Sequence, residues 1–84
     1  MRLLIVDDEP IEREGMEAII QKAFPDLLIE QAKNGKMAIE LADSFQPDLV
    51  LMDIMMPGIN GLEAIEAMKV SHPTTKFVMV TAFD

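Results

Sequence analysis

The chain alternates between unbroken apolar runs and stretches whose apolar residues recur at helical spacing. Leu3-Leu4-Ile5-Val6 follows Arg2 without interruption and ends at Asp7, which predicts a buried strand over Arg2 to Asp7. Pro10 stands where a helix accepts its first residue. From there Ile11, Gly15, Ile19 and Ala23 fall on one face, and Met16, Ile20 and Phe24 form an adjacent row. Glu9, Glu12, Glu14 and Glu17 load the early turns, as the helix dipole favours. Gly15 inside this helix costs roughly 1 kcal/mol against Ala, and close packing on a sheet is its expected reason. Pro25 and Asp26 end the helix, and Leu27 to Gln31 predicts a second strand.

Asn34-Gly35 marks a turn. Met37, Ala38, Leu41, Ala42 and Phe45 then make a second amphipathic stripe. Pro47 leads into Asp48-Leu49-Val50-Leu51-Met52-Asp53, a third strand, and Met56-Pro57-Gly58-Ile59-Asn60-Gly61 predicts a loop. Asn60 with Glu63 fits a cap for a third helix, whose inward face would be Leu62, Ile65 and Met68. His72-Pro73 stops that helix, and His72 is expected in a surface loop. Lys76 to Thr81 predicts a fourth strand. The order β-α-β-α-β-α-β implies parallel strands joined by right-handed crossovers. Strands that are continuously apolar, rather than alternating, imply helices on both faces. The expected fold is a doubly wound α/β sheet.

Composition narrows the function. The 84 residues suit one small domain or part of one. Fifteen acidic against seven basic residues give a net charge of −8. Phosphate backbones are bound by clustered Lys and Arg, so this segment is not expected to bind nucleic acid. With no Cys there is neither a disulfide framework nor a thiolate zinc site. The opening apolar run is too short for a signal peptide or a membrane span, and a soluble cytoplasmic protein is expected. Half the residues are hydrophobic and the mean hydropathy is +0.21, ample for a core. Six of the eight Met are expected in packing roles, while Met55 and Met56 flank the loop after the third strand.

Ligands of such sheets bind beyond the carboxyl ends of the strands. There the first strand ends in Asp7-Asp8, the third in Asp53 and the fourth in Thr81. Each residue has an ordinary explanation when taken singly. Asp53 suits a turn, the acids before Pro10 suit the helix dipole, and Thr81 suits a strand. Their convergence is harder to assign to chance. Two unit charges ~4 Å apart repel by roughly 4 kcal/mol at an effective dielectric near 20, so protons or a cation must relieve the pocket. A few carboxylates in a shallow site suit Mg²⁺ better than Ca²⁺. With a cation present one carboxylate can attack phosphorus, and the Thr81 hydroxyl can donate to a phosphoryl oxygen.

These residues resemble those of the receiver domain of two-component response regulators. The motifs are Leu4-Ile5-Val6-Asp7-Asp8-Glu9-Pro10, Pro47 through Asp53, Met56 through Gly61, and Val80-Thr81-Ala82, in the family's order and spacing. The resemblance implies a flavodoxin-like fold of strand order 2-1-3-4-5. It implies that Asp53 is the phosphoacceptor, served by a sensor histidine kinase. It implies that Asp8, Asp53 and the Met55 backbone carbonyl ligate Mg²⁺, with Asp7 completing the acidic pocket through water. Thr81 would be the switch hydroxyl. Pro57 and Gly61 would shape the loop, and Met55 and Phe83 would tune how long the phosphoryl group survives. The opening Asp-Asp-Glu-Pro-Ile-Glu-Arg-Glu-Gly also resembles receivers joined to AraC-type helix-turn-helix output domains, which implies transcription regulation by the parent chain.

The chain departs from the family at its end. A complete receiver has a fifth strand and two more helices, and a Lys ending that strand beside the acceptor. Lys76 cannot replace it, because five residues of strand put it ~16 Å from Thr81. Residues 1–84 are therefore expected to be an incomplete receiver domain, with strand four exposed as an edge open to self-association. Two other functions compete with signalling. A phosphatase with an aspartate nucleophile resembles Asp-x-Asp-x-Thr after the first strand. Here Asp7 precedes Asp8, and Asp53 precedes Ile54-Met55, so neither fits and no enzyme is expected. An interaction module without phosphorylation, or an inactive fragment, is the other alternative.

Overall fold

A computed structural model of the chain describes residues 1–53 and 61–80. The elements are β1 (Arg2–Val6), α1 (Pro10–Ala23), β2 (Leu28–Ala32), α2 (Gly35–Phe45), β3 (Leu49–Asp53), α3 (Gly61–Ser71) and β4 (Lys76–Val80). The strands form one parallel sheet in the order β2-β1-β3-β4. Both the alternation of elements and the strand order are those expected of the doubly wound fold. Asp48 ties the strand beginnings together. Its side chain accepts from the Arg2 amide at 2.7 Å, its own amide donates to the Arg2 carbonyl, and its carbonyl accepts from Lys76. It precedes β3 rather than belonging to it. Buried Thr75 adds a hydrogen bond from Oγ1 to the Pro47 carbonyl at 2.7 Å.

β1 is interior, and Leu3, Leu4, Ile5 and Val6 are each no more than 2% exposed. An unbroken apolar run fits because the strand has packing on both faces. One face carries the main core, where Leu4, Val6, Val50 and Met52 meet Ala38 and Ala42 of α2 and Ala64, Ile65 and Met68 of α3. α3 turns Gly61, Ala64, Ile65 and Met68 inward. Leu62, expected on that face, is 62% exposed. The row 61-64-65-68 already fills the 3.6-residue period, and position 62 is rotated away from it. His72 is not a free surface residue. Its Nε2 lies 2.9 Å from Asp43 Oδ1, which joins the end of α3 to α2, and its amide donates to the Met68 carbonyl. Only Met52 and Met68 among the described Met residues are fully buried; Met1, Met37 and Met79 are exposed.

The opposite face is thinly covered. α1 rests mainly on β1 and β2 and buries none of its residues completely. Half-buried Met16 and Ile20 approach the sheet, while Ile11 is 82% exposed and Ile19, Ala23 and Phe24 are also exposed. An open apolar groove of ≈ 610 Å³ runs between α1 and the sheet, lined in part by Leu3, Ile20, Phe24, Leu49 and Leu51. Of the two rows read from the sequence, Ile11, Gly15 and Ile19 stay exposed, with Gly15 and Ile19 beside an open pocket that Asp53 and Val80 also line, because among the described residues no element packs over that side of α1. Among the described residues β4 is the sheet edge, and its Val78 and Met79 are exposed.

Gly15 does not serve close packing. A Cβ built there meets nothing within 4 Å outside its own helix turn. Gly15→Ala is therefore expected to raise stability by about 0.5–1 kcal/mol, through a less mobile unfolded chain and better helix propensity. Thermal melts would show it, and a destabilised variant would contradict the open environment. Asn34-Gly35 is a helix start rather than a separate turn, for the Asn34 side chain accepts from the Met37 amide at 2.7 Å. α2 ends on Gln46 in the left-handed conformation. Among the described residues no helix is long and apolar enough to cross a membrane.

Candidate functional site

Two strand ends build the site. β1 delivers Asp7 one residue past Val6, and β3 ends on Asp53. Because Val6 pairs with Met52, the two carboxylates emerge side by side from adjacent strands. Asp7 is only 3% exposed, and its amide, its carbonyl and one carboxylate oxygen are held by hydrogen bonds. Its amide donates to the Ala32 carbonyl at 3.1 Å, its Oδ1 accepts from the Glu9 amide at 2.9 Å, and its carbonyl accepts from Arg13 at 2.7 Å. Asp53 is half-buried.

The first turn of α1 brings a third carboxylate, Glu12. One oxygen each from Asp7, Glu12 and Asp53 lie within 4.8 Å of one another. The same three residues line a cavity of ≈ 370 Å³ walled by Gly15, Met16, Ile19 and Val80. The negative charge of Asp7, first of all, holds the Glu12 carboxyl above the usual carboxylate range; partial desolvation, a hydrogen bond with Asp7, and the charges of Glu9 and Asp53 act the same way. The donor set is all oxygen and all anionic, which fits a hard divalent cation.

Of the residues singled out in the sequence, Asp7 and Asp53 are brought together. Asp8 is half-buried beside Asp7 but does not belong to the group of three. Gly61 is buried at the start of α3. Met55, Pro57, Asn60, Thr81 and Phe83 lie outside the described residues. In the sequence Glu12 stands only as a complement to the helix dipole. The signal for more was its place in the first turn of a helix that starts just after a strand-end Asp pair.

Glu12 gives a pH test. Its raised acid range means that folding favours its protonated form. That stabilisation is present in full below the unfolded range and is lost as pH rises through the raised one. Metal-free Glu12→Gln is therefore expected to melt above wild type at pH 7, with the gap closing as the solution becomes acidic. A gap independent of pH would contradict the crowding of these carboxylates.

Residues 3–84 match the family model described as the response regulator receiver domain. The chain belongs to that family. It is 42% identical over 80 residues to the transcriptional regulatory protein YdfI of Bacillus subtilis, covering 95% of this chain and 38% of YdfI. It is 44% identical over 67 residues to the nitrate/nitrite response regulator NarL of Escherichia coli, covering 80% of this chain and 31% of NarL. Among solved structures, the response regulator TrrA of Thermotoga maritima in complex with Mg²⁺-BeF superposes with a TM-score of 0.89 at 37% identity, covering 99% of this chain and 70% of TrrA. This receiver-family chain thus spans well under half the length of the curated relatives it matches.

Proposed function

We propose that this receiver domain accepts a phosphoryl group on Asp53 from a phosphohistidine of a sensor histidine kinase. The observation that carries the reading is the convergence of buried Asp7 with Asp53 at the carboxyl ends of adjacent parallel strands. An Asp53 carboxylate oxygen attacks phosphorus as the phosphorus–nitrogen bond breaks; the departing imidazole nitrogen keeps the bonding pair and takes a proton. The product is an acyl phosphate on Asp53.

Asp8, Asp53 and the Met55 carbonyl would hold Mg²⁺, with Asp7 acting through water and Glu12 adding a carboxylate at the rim. The ion supplies charge stabilisation for the phosphoryl oxygens. Asp7 is suited to its place because hydrogen bonds to its amide, carbonyl and Oδ1 fix its carboxyl group at a buried strand end. Thr81 would donate its hydroxyl to a phosphoryl oxygen and so report phosphorylation to the rest of the domain. TrrA, with its Mg²⁺-BeF, supports the cation in this reading. YdfI and NarL, named as a transcriptional regulatory protein and a response regulator, support a part in regulation, which in this reading is exercised in the cytoplasm through a helix-turn-helix output domain.

The chemistry of the acceptor supplies the test. Acetyl phosphate with Mg²⁺ is expected to load a phosphoryl group that hydroxylamine removes, as an acyl phosphate demands. A hydroxylamine-stable adduct would place the group on a hydroxyl and overturn the reading.

A further inference from the structure

Asp7 lies where the β-ladder runs out, and its carbonyl is satisfied by a side chain. Val6 is the last residue of β1 paired with both neighbours. Beyond it, Arg13 Nη1 donates to the Asp7 carbonyl at 2.7 Å, while Arg13 Nε donates to Gln31 Oε1 at 2.7 Å. Gln31 Nε2 in turn donates to Glu17 Oε1 at 2.8 Å. Arg13 and Glu17 are one helical turn apart on α1, and the Gln31 amide of β2 spans them. These groups are all partly buried.

This arrangement acts on the site through the backbone. The carbonyl of Asp7 belongs to the planar peptide that leads into Asp8. Holding that oxygen fixes the plane, and with it the direction in which Asp8 leaves the strand. In these contacts Arg13 holds a backbone oxygen and an amide oxygen, a geometry suited to orientation. A guanidinium suits it because adjacent donors at fixed angles serve two acceptors at once, which a Lys ammonium on a flexible stem does not reproduce.

We propose that Arg13, braced by Gln31 and Glu17, is a positioning residue for the divalent-cation site, setting the Asp7–Asp8 turn through the Asp7 carbonyl. The proposal rests on the cation-assisted phosphoacceptor reading. It is tested by calorimetric Mg²⁺ titration of the 84-residue chain and its variants, each at a temperature where circular dichroism shows it folded. Arg13→Ala is expected to weaken Mg²⁺ binding about ten-fold, the scale seen when groups that orient metal ligands are lost. Arg13→Lys is expected to lose nearly as much despite keeping the charge, and Gln31→Ala to lose less, about three-fold. The Glu9 amide resonance, which reports the Asp7 turn, should shift in Mg²⁺-free Arg13→Lys.

Arg13→Lys binding within about two-fold of wild type would overturn the proposal, since charge alone would then suffice. Should Arg13→Ala fail to fold, Arg13→Lys and Gln31→Ala carry the test. Absence of Mg²⁺ binding by wild type would instead overturn the cation reading itself, and the positioning role with it, so the two failures are told apart by the wild-type titration.

Discussion

Leu4→Ala is expected to remove about 2–5 kcal/mol of stability. Leu4 is fully buried in the interior strand β1 and packs into the cluster formed with α2 and α3. Deleting its branched end loses the transfer free energy of those atoms and leaves a cavity that strands hydrogen-bonded on both sides cannot close. A domain of 84 residues is ordinarily stable by about 4–12 kcal/mol, so this one change takes a large share of the total. Urea melts should show the midpoint falling with little change in slope. Leu62→Ala is the control, with an expected cost below about 0.5 kcal/mol because that side chain is exposed. Similar losses from the two variants would contradict the facing of α3.

The second large effect concerns the cation. At free Mg²⁺ near one hundred times its dissociation constant, binding to the folded chain alone stabilises it by about 2.7 kcal/mol. Asp53→Ala is expected to abolish that gain while making the metal-free chain more stable. Both follow from one cause under the proposed function: the Asp53 carboxylate lies close to those of Asp7 and Glu12, which it repels when no cation is bound, and it would serve as a ligand when one is. Melts of both chains with Mg²⁺ and with chelator would show it. A variant that Mg²⁺ still stabilises fully would remove Asp53 from the cation site.

Much of this was legible in the residue pattern. The apolar run of β1 carried its interior position, because only a strand covered on both faces tolerates four large apolar residues in succession. The acids at the ends of β1 and β3 carried the pocket, because parallel strands bring their carboxyl ends to one edge. What stayed hidden depends on how tightly a face is covered. Ile11 and Ile19 have the spacing of a buried row, yet among the described residues α1 is the one helix on its side of the sheet, and it half-buries Met16 and Ile20 while Ile19 stays exposed beside an open pocket. The part played by Arg13 and Gln31 was hidden for another reason. Neither is unusual in its own segment, and they meet only when α1 folds back across β2. Glu12 joins the pocket through the same fold of chain, five residues after Asp7 and one helix turn away from the strand.

The central claim is that Asp53 takes the phosphoryl group. The direct measurement is the intact mass of the chain after incubation with acetyl phosphate and Mg²⁺, beside Asp53→Ala treated in the same way. The account predicts a single phosphoryl adduct on wild type and none on the variant. An adduct that persists in Asp53→Ala, or a wild-type chain that binds Mg²⁺ yet takes up no phosphoryl group, would contradict it.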